Sequence, residues 1–138
     1  MKNLELGAAV VDTAAPQIWA DELGQRVYAF ALRVVRLADG LPARRVASKV
    51  LSTQVVRSAT SVAANYEEAR GAVSHPDFVF KMSLAYKECR ESVLWLCLIR
   101  DAEIVRPSRM AAIIAEALEL RAIFGTSLKT ARQRRGTK

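Results

Sequence analysis

The stretch that decides the fold class covers residues 51–69 and reads LSTQVVRSATSVAANYEEA. Apolar side chains recur in it every three or four residues, which is the spacing of one face of an α-helix. The members of this apolar series are Leu51, Val55, Ala59, Val62, Tyr66 and Ala69. The pattern predicts a helix from about Arg44 to Gly71 that turns one long face towards a core.

The segment before this helix shows the same spacing. Its apolar side chains are Trp19, Leu23, Val27, Phe30, Val34 and Leu37. We expect this first helix to begin at Pro16 and to end at Gly40, because glycine caps helices and Pro42 cannot continue one. Residues 1–15 show no clear period and are predicted to be a loose leader.

Two more helices are predicted downstream. Ser74 can cap the third, with Asp77 as the acidic member of a capping box and Pro76 in the first turn. This helix is expected to run to about Ala102, and the fourth to open at Pro107. The apolar series of the fourth helix is Met110, Ile113, Ala117, Leu120, Phe124 and Leu128.

Four helices joined by short connections favour an all-α, antiparallel up-down four-helix bundle. A chain of 138 residues is long enough for one domain with one core. Hydrophobic residues make up 51% of the chain, and only 6 glycines and 4 prolines occur, which argues against an all-β fold with many turns. We therefore expect the bundle to cover residues 16–131 and a basic tail to cover residues 132–138.

The third helix carries apolar side chains on two faces. The face predicted to line the core holds Phe78, Met82, Ala85, Cys89, Val93 and Leu96. The second face includes Leu94 and a predicted oligomer interface of Phe80, Leu84, Trp95 and Leu98. A helix of a lone four-helix bundle buries one face, so the second face predicts homo-oligomerisation. In the alternative interpretation, Trp95 and Leu98 belong to one wide inner face.

Polar side chains also recur along the second helix and share one side of it. They are Gln54, Arg57, Ser58, Ser61, Asn65 and Glu68. Serine and asparagine are poor helix formers, so such mid-helix positions are costly unless the side chains find partners. Glu88 and Glu91 lie one turn apart on the third helix, and pairing with Arg57 would complete a buried structural network. The alternative is a solvated face with incidental charges.

The spacing of these polar residues resembles a family signature. The signature begins with Gln, continues after two residues with Arg-Ser-Ala, and then has Ser, Asn and Glu further along the helix. The matching residues in this chain are Gln54, Arg57, Ser58, Ala59, Ser61, Asn65 and Glu68. The end of the family's first loop resembles Leu41-Pro42 of this chain. The family's third helix resembles Asp77-Phe78 and the run from Ala85 to Leu96. The family is that of bacterial four-helix-bundle proteins encoded in intervening sequences of large-subunit ribosomal RNA genes. It includes the accessory variability proteins of diversity-generating retroelements.

This resemblance implies a homopentamer, built as a barrel of bundles around a central channel. It also implies a role in binding nucleic acid or in partnering a nucleic-acid enzyme, which for the retroelement relatives is a reverse transcriptase. The implied assembly agrees with the second apolar face of the third helix.

The net charge of +7 is unevenly distributed, because residues 129–138 hold five basic residues and no acid. The candidate phosphate contacts are Lys129, Arg132, Arg134, Arg135 and Lys138, with a second cluster at Arg44 and Arg45. Basic side chains gain affinity by displacing counterions from phosphates, so we expect backbone-directed, salt-sensitive binding to RNA or DNA. No aromatic residue is interleaved with the tail charges, so base stacking is not indicated.

Two other interpretations of these charges stay open. Basic residues at a terminus can serve solubility alone, and cations also suit a helix C-terminus. The protein could instead be an adaptor that docks another protein and binds no nucleic acid.

The sequence offers no set of residues for catalysis, metal binding or a cofactor. His75 is the single histidine, and no Glu-x-x-His pair, Cys-x-x-Cys-His haem motif or phosphate-binding glycine loop occurs. Two cysteines and one histidine cannot complete a zinc site. We therefore expect a protein that is not an enzyme.

Cys89 and Cys97 lie eight residues apart in the chain, about 12 Å along a helix, which is too far for a disulfide. Free thiols predict a reducing compartment. No secretory signal is recognisable, and the longest apolar run, Val93–Ile99, is far shorter than the roughly 20 residues of a membrane span. We therefore expect a cytoplasmic protein that does not enter a membrane.

Overall fold

The computed structural model describes residues 21–135, and within that range the chain forms four α-helices and no strand. We number them α1 (Glu22–Asp39), α2 (Val46–Arg70), α3 (His75–Asp101) and α4 (Pro107–Arg135). Within residues 21–135, the predicted all-α class and the predicted four helices in their order are confirmed.

The ends of the helices differ from the predicted ends at two places. Asp21 has an extended backbone and precedes α1, so the helix begins at Glu22 and not at Pro16. Pro16, Trp19 and the predicted leader lie outside the described residues. At the other end of the chain, α4 continues to Arg135, so residues 132–135 are helical and do not form part of a separate tail.

The start of α3 is capped as predicted. Ser74 Oγ accepts a hydrogen bond from the backbone N–H of Asp77 at 3.1 Å, and Asp77 Oδ2 accepts one from the backbone N–H of Val73 at 3.2 Å. Pro76 occupies the first turn, where its missing N–H costs nothing. The Ser74 contact satisfies one of the backbone donors that the first turn of a helix leaves free.

Consecutive helices pack against one another in antiparallel pairs. Ser58 of α2 meets Ser92 of α3, and Glu68 meets Lys81, so residues further along α2 contact residues earlier in α3. The same reversal relates α3 and α4, because Cys89 donates to the Ala117 carbonyl, whereas His75, earlier in α3, contacts the carbonyl of Ala131, later in α4.

Polar contacts on both flanks, together with core packing, attach α1 to the rest of the bundle. The Tyr66 hydroxyl of α2 donates a hydrogen bond to the Asp21 carboxylate at the start of α1. Burial raises the pKa of this phenol, and the neighbouring Asp21 carboxylate adds to the shift. On the opposite flank, Arg26 of α1 forms a salt bridge with Glu116 of α4. Helix α1 thus closes the bundle by contacting both α2 and α4.

The core runs the length of the bundle and draws on all four helices. Its largest fully buried side chains are Phe30, Phe124, Leu96, Ile99, Met110, Leu120, Val27, Val34, Val55 and Val62. The rings of Tyr66 and Phe124 meet edge to face with centroids 5.9 Å apart, which is a favourable arrangement for aromatic pairs.

The two cysteines are both free but sit in different surroundings. Cys89 is buried in the core, and burial raises the pKa of its thiol to about 12. Cys97 is half-buried. Because the thiolate is the reactive form, these surroundings make Cys89 the less reactive of the two.

We expect the Cys97→Ser variant, whose single thiol is Cys89, to resist a disulfide reagent at pH 8. A pKa of about 12 leaves roughly 10⁻⁴ of this thiol ionised at that pH. Absorbance with an aromatic disulfide reagent should rise only after urea is added. The matched variant Cys89→Ser should react without urea. A rapid reaction of folded Cys97→Ser would contradict the buried position of Cys89.

Candidate functional site

The guanidinium of Arg57 on α2 reaches two carboxylates on α3. Its Nη1 lies 3.3 Å from Glu88 Oε2, and its Nη2 pairs with Glu91. Its Nε donates to Gln54 Oε1 at 3.3 Å, and Trp95 Nε1 donates to the same Glu91 carboxylate, also at 3.3 Å. We call these five residues the Arg57 network. Trp95 was not among the predicted members, although it lies one helical turn from Glu91.

The Arg57 network lies at the surface of the single chain. The Arg57 side chain is 45% exposed, so the predicted burial of the network is wrong for one chain on its own. Ion pairs at such exposure are worth at most about 1 kcal/mol, because water screens the charges. The network therefore orients side chains more than it stabilises the fold.

Beneath the Arg57 network, α2 and α3 touch through two fully buried serines. The hydroxyl of Ser92 lies 2.9 Å from Ser58 Oγ and 3.0 Å from the carbonyl oxygen of Glu88. Ser58 Oγ donates to the carbonyl oxygen of Val55 at 3.2 Å. These small side chains allow a close approach of the two helices while both of their hydroxyls retain a partner.

The other polar residues of α2 do not join the Arg57 network. Asn65 Nδ2 donates to the carbonyl oxygen of Ser61 at 2.9 Å, within α2 itself. Glu68 Oε2 lies 2.6 Å from Lys81 Nζ, and this hydrogen bond raises the pKa of the lysine. The single network that was predicted is thus divided into separate contacts along the α2–α3 contact line.

The second apolar face of α3 is exposed in the single chain. Phe80 is 56% exposed, Leu94 51% and Leu98 42%. Leu84 is half-buried, and Trp95 is half-buried with part of its ring against the core. The predicted interface residues therefore differ in exposure. Phe80 and Leu98 are open to solvent, whereas Trp95 lies partly at the surface and partly against the core.

Two valines of α2 extend this exposed apolar area and were missed from the sequence. Val46 is 86% exposed and Val50 58%. They precede Arg57 by eleven and seven residues, a helical spacing that puts them on the same side of α2. That spacing is the feature of the sequence from which these two residues could have been predicted to belong to this surface. We call the surface formed by Val46, Val50, Phe80, Leu94 and Leu98 the α2–α3 face.

The predicted nucleic-acid contacts lie at opposite ends of the bundle. Lys129, Arg132 and Arg134 are exposed on the last turns of α4, and Arg135 ends that helix. Lys138 lies outside the described residues. The connection between α1 and α2, which holds the second basic cluster, is at the other end of α4, a distance of roughly 40 Å for a helix of 29 residues.

Arg45 in that second cluster has a structural contact. Its Nη1 and Nη2 donate to the carbonyl oxygens of Glu103 and Ala102, at 3.2 and 3.3 Å, where α3 ends. A cation at this position satisfies free carbonyls and suits the negative end of the helix dipole. Nucleic-acid contact by Arg44 and Arg45 stays a prediction, with Arg44 exposed and Arg45 held at the end of α3.

The described part of the chain contains no group of three or more His, Cys, Asp and Glu residues that could hold a metal ion. His75 Nε2 lies 2.9 Å from the carbonyl oxygen of Ala131, so this side chain connects the start of α3 to the last turns of α4. Across residues 21–135, no helix has an apolar stretch long enough to cross a membrane.

Comparison with known proteins assigns the chain to a family. The family described as 23S rRNA-intervening sequence protein matches residues 22–126, which span α1, α2, α3 and most of α4. The chain belongs to this family. A solved structure is also similar, that of a protein of unknown function from the S23 ribosomal protein family of Bacteroides thetaiotaomicron. Its TM-score is 0.72 at 30% sequence identity, and the match covers 78% of this chain and 98% of that one. No curated protein matches.

The buried serine contact predicts a sharp difference between two substitutions at Ser92. Ser92→Ala removes the hydroxyl that contacts both Ser58 Oγ and the Glu88 carbonyl, and it should lower the free energy of unfolding by about 1 kcal/mol. Ser92→Val adds bulk where Ser58 Oγ lies 2.9 Å away and should cost roughly 2 kcal/mol or more. Urea unfolding followed by circular dichroism measures both.

The control for Ser92 is Ser83, a serine of α3 that hydrogen-bonds only the carbonyl of Phe80 within its own helix. Ser83→Val should change the free energy of unfolding by less than about 0.5 kcal/mol. Equal tolerance of valine at positions 83 and 92 would contradict the close approach of α2 and α3.

Proposed function

We propose that this member of the 23S rRNA-intervening sequence family is a cytoplasmic, non-enzymatic homo-oligomer, most simply a pentamer, that binds the phosphate backbone of nucleic acid. The observation that carries the binding proposal is the cluster of exposed cations, including Lys129 and Arg132, on the last turns of α4. Phosphate binding by such side chains releases counterions and needs no particular base sequence.

The α2–α3 face supports the oligomer part of the proposal. Apolar side chains exposed together on a soluble bundle favour burial against another protein surface. Phe80, Leu94 and Leu98 contribute three such side chains from one helix, and Val46 and Val50 add two from its neighbour. A second copy of the chain is the simplest partner, because a closed ring repeats one head-to-tail contact, in which this face of each copy meets a different surface of the next copy.

Assembly and nucleic-acid binding support each other in this proposal. One basic helix end binds phosphates weakly, because its few contacts are opposed by salt. Several copies held in one particle present several such ends to the same strand, so that each further contact forms at a high effective concentration. Weak contacts then add up to useful affinity.

The adaptor interpretation is the second candidate, and the α2–α3 face is the observation that favours it. The same apolar side chains that would join copies of this chain could dock a different protein, such as a nucleic-acid enzyme. The two candidates differ in whether the protein binds nucleic acid at low salt. Nucleic-acid binding that is absent at low salt would favour the adaptor.

We expect Leu98→Glu to break the assembly, because it places a charge among the apolar side chains of the α2–α3 face. Multi-angle light scattering should show the wild-type protein as a pentamer and the variant at lower mass. Leu118→Glu is the matched control, since Leu118 is a leucine of similar exposure, 39%, on α4. A wild-type protein that remains a monomer, or equal masses for both variants, would contradict the proposed interface.

We expect Lys129→Gln with Arg132→Gln to weaken binding to a generic RNA or DNA strand and to flatten its salt dependence. Each lost phosphate contact should reduce the slope of log affinity against log salt by about 0.7 for single strands. Fluorescence anisotropy across a salt series measures this slope.

The control for that experiment removes the same charge elsewhere. Arg33 and Arg36 are exposed on α1, and Arg33→Gln with Arg36→Gln lowers the net charge equally. This control should keep the wild-type slope. A similar loss from both double variants would show that overall charge, and not the end of α4, governs binding.

A further inference from the structure

A shallow groove of about 420 Å³ lies between α3 and α4, near the C-terminal end of α4. It is lined by Tyr86, Gly125, Leu128, Lys129, Arg132 and Gln133. The groove thus combines an aromatic ring, two cations and an amide, and none of its lining residues is acidic. Such a combination of an aromatic side chain with basic neighbours is typical of surfaces that bind single-stranded nucleic acid.

Gly125 is what allows the aromatic ring to lie in this groove. A Cβ atom at position 125 would stand 3.3 Å from Tyr86 Cε1, closer than most side chains tolerate. The absence of that atom lets the Tyr86 ring rest against the backbone of α4. Tyr86 is half-buried in this position, so the ring is held by the bundle while part of it stays accessible.

Cations surround the ring on both helices. The guanidinium of Arg90, one turn along α3, lies over the Tyr86 ring, 5.8 Å from its centre, so a base that stacks on this ring displaces the Arg90 side chain. On α4, Arg121, Lys129 and Arg132 follow a spacing of eight and three residues, which places them on one side of the helix. The groove therefore has a positive border, which suits the phosphates on either side of a base.

The groove is separate from the α2–α3 face. Tyr86 and Phe80 are six residues apart on α3, which places their side chains about 120° apart around the helix axis. The α2–α3 face therefore contains none of the residues that line the groove.

We propose that this groove binds a single-stranded segment of nucleic acid, with one base stacked on Tyr86 and the neighbouring phosphates paired with Lys129 and Arg132. The inference rests on the proposed function and adds to it the type of strand and the aromatic contact. A duplex does not fit this role, because its bases are already stacked on one another, whereas an unpaired base has a free face for an aromatic side chain.

The test compares a fluorescent 15-nucleotide oligo(dT) with an abasic strand of the same length, which carries the same phosphates but no bases. The full chain should bind oligo(dT) at least about fivefold more tightly than the abasic strand. Tyr86→Leu should abolish this preference and leave binding to the abasic strand unchanged, whereas Tyr86→Phe should keep it. Tyr28→Leu, which removes a tyrosine from α1, is the control and should behave as wild type. Oligo(U) of the same length shows whether RNA is bound in the same way.

The outcomes separate the two proposals. No binding of any strand at low salt would overturn the proposed function. Equal binding of oligo(dT) and the abasic strand, unaffected by Tyr86→Leu, would overturn the stacking groove and leave phosphate binding in place.

Photo-crosslinking provides a second test that uses the unaltered chain and does not depend on a variant that folds. A strand with bromouracil in place of thymine should crosslink to the peptide that contains Tyr86. Crosslinks confined to the α2–α3 face would also overturn the groove.

Discussion

The close contact between α2 and α3 is the constraint on which the rest of the bundle depends. Ser58 and Ser92 are fully buried, and their hydroxyls lie 2.9 Å apart, so the two helices approach more closely there than larger side chains would allow. A contact this tight admits one register, because sliding either helix would bring bulkier residues together. That register places Arg57 opposite Glu88 and Glu91.

Helix positions and the pairing of Arg57 with α3 carboxylates could be predicted, because spacing along one helix is a local property of the sequence. The exposure of side chains and the contacts between distant segments could not be predicted, because they depend on how the helices are rotated and shifted relative to one another. Arg45 belongs to a basic run, yet it binds the carbonyls that end α3. Tyr86 is far from Lys129 in sequence and shares a groove with it only through the α3–α4 register.

Helix α3 connects the two surfaces that concern function. One side of it carries Phe80, Leu94 and Leu98 to the α2–α3 face, and another side carries Tyr86 and Arg90 to the groove with α4. Its remaining side is buried in the core. This explains why α3 is apolar over so much of its circumference and still holds both carboxylates and cations. A single helix of 27 residues thereby serves the core, the proposed assembly and the proposed binding groove.

The continuation of α4 to Arg135 has a thermodynamic consequence for any anionic ligand. A flexible segment must give up conformational entropy when it becomes ordered on a ligand, and this loss reduces the affinity that its contacts provide. Arg132 already stands on a formed helix, so its association needs no such ordering.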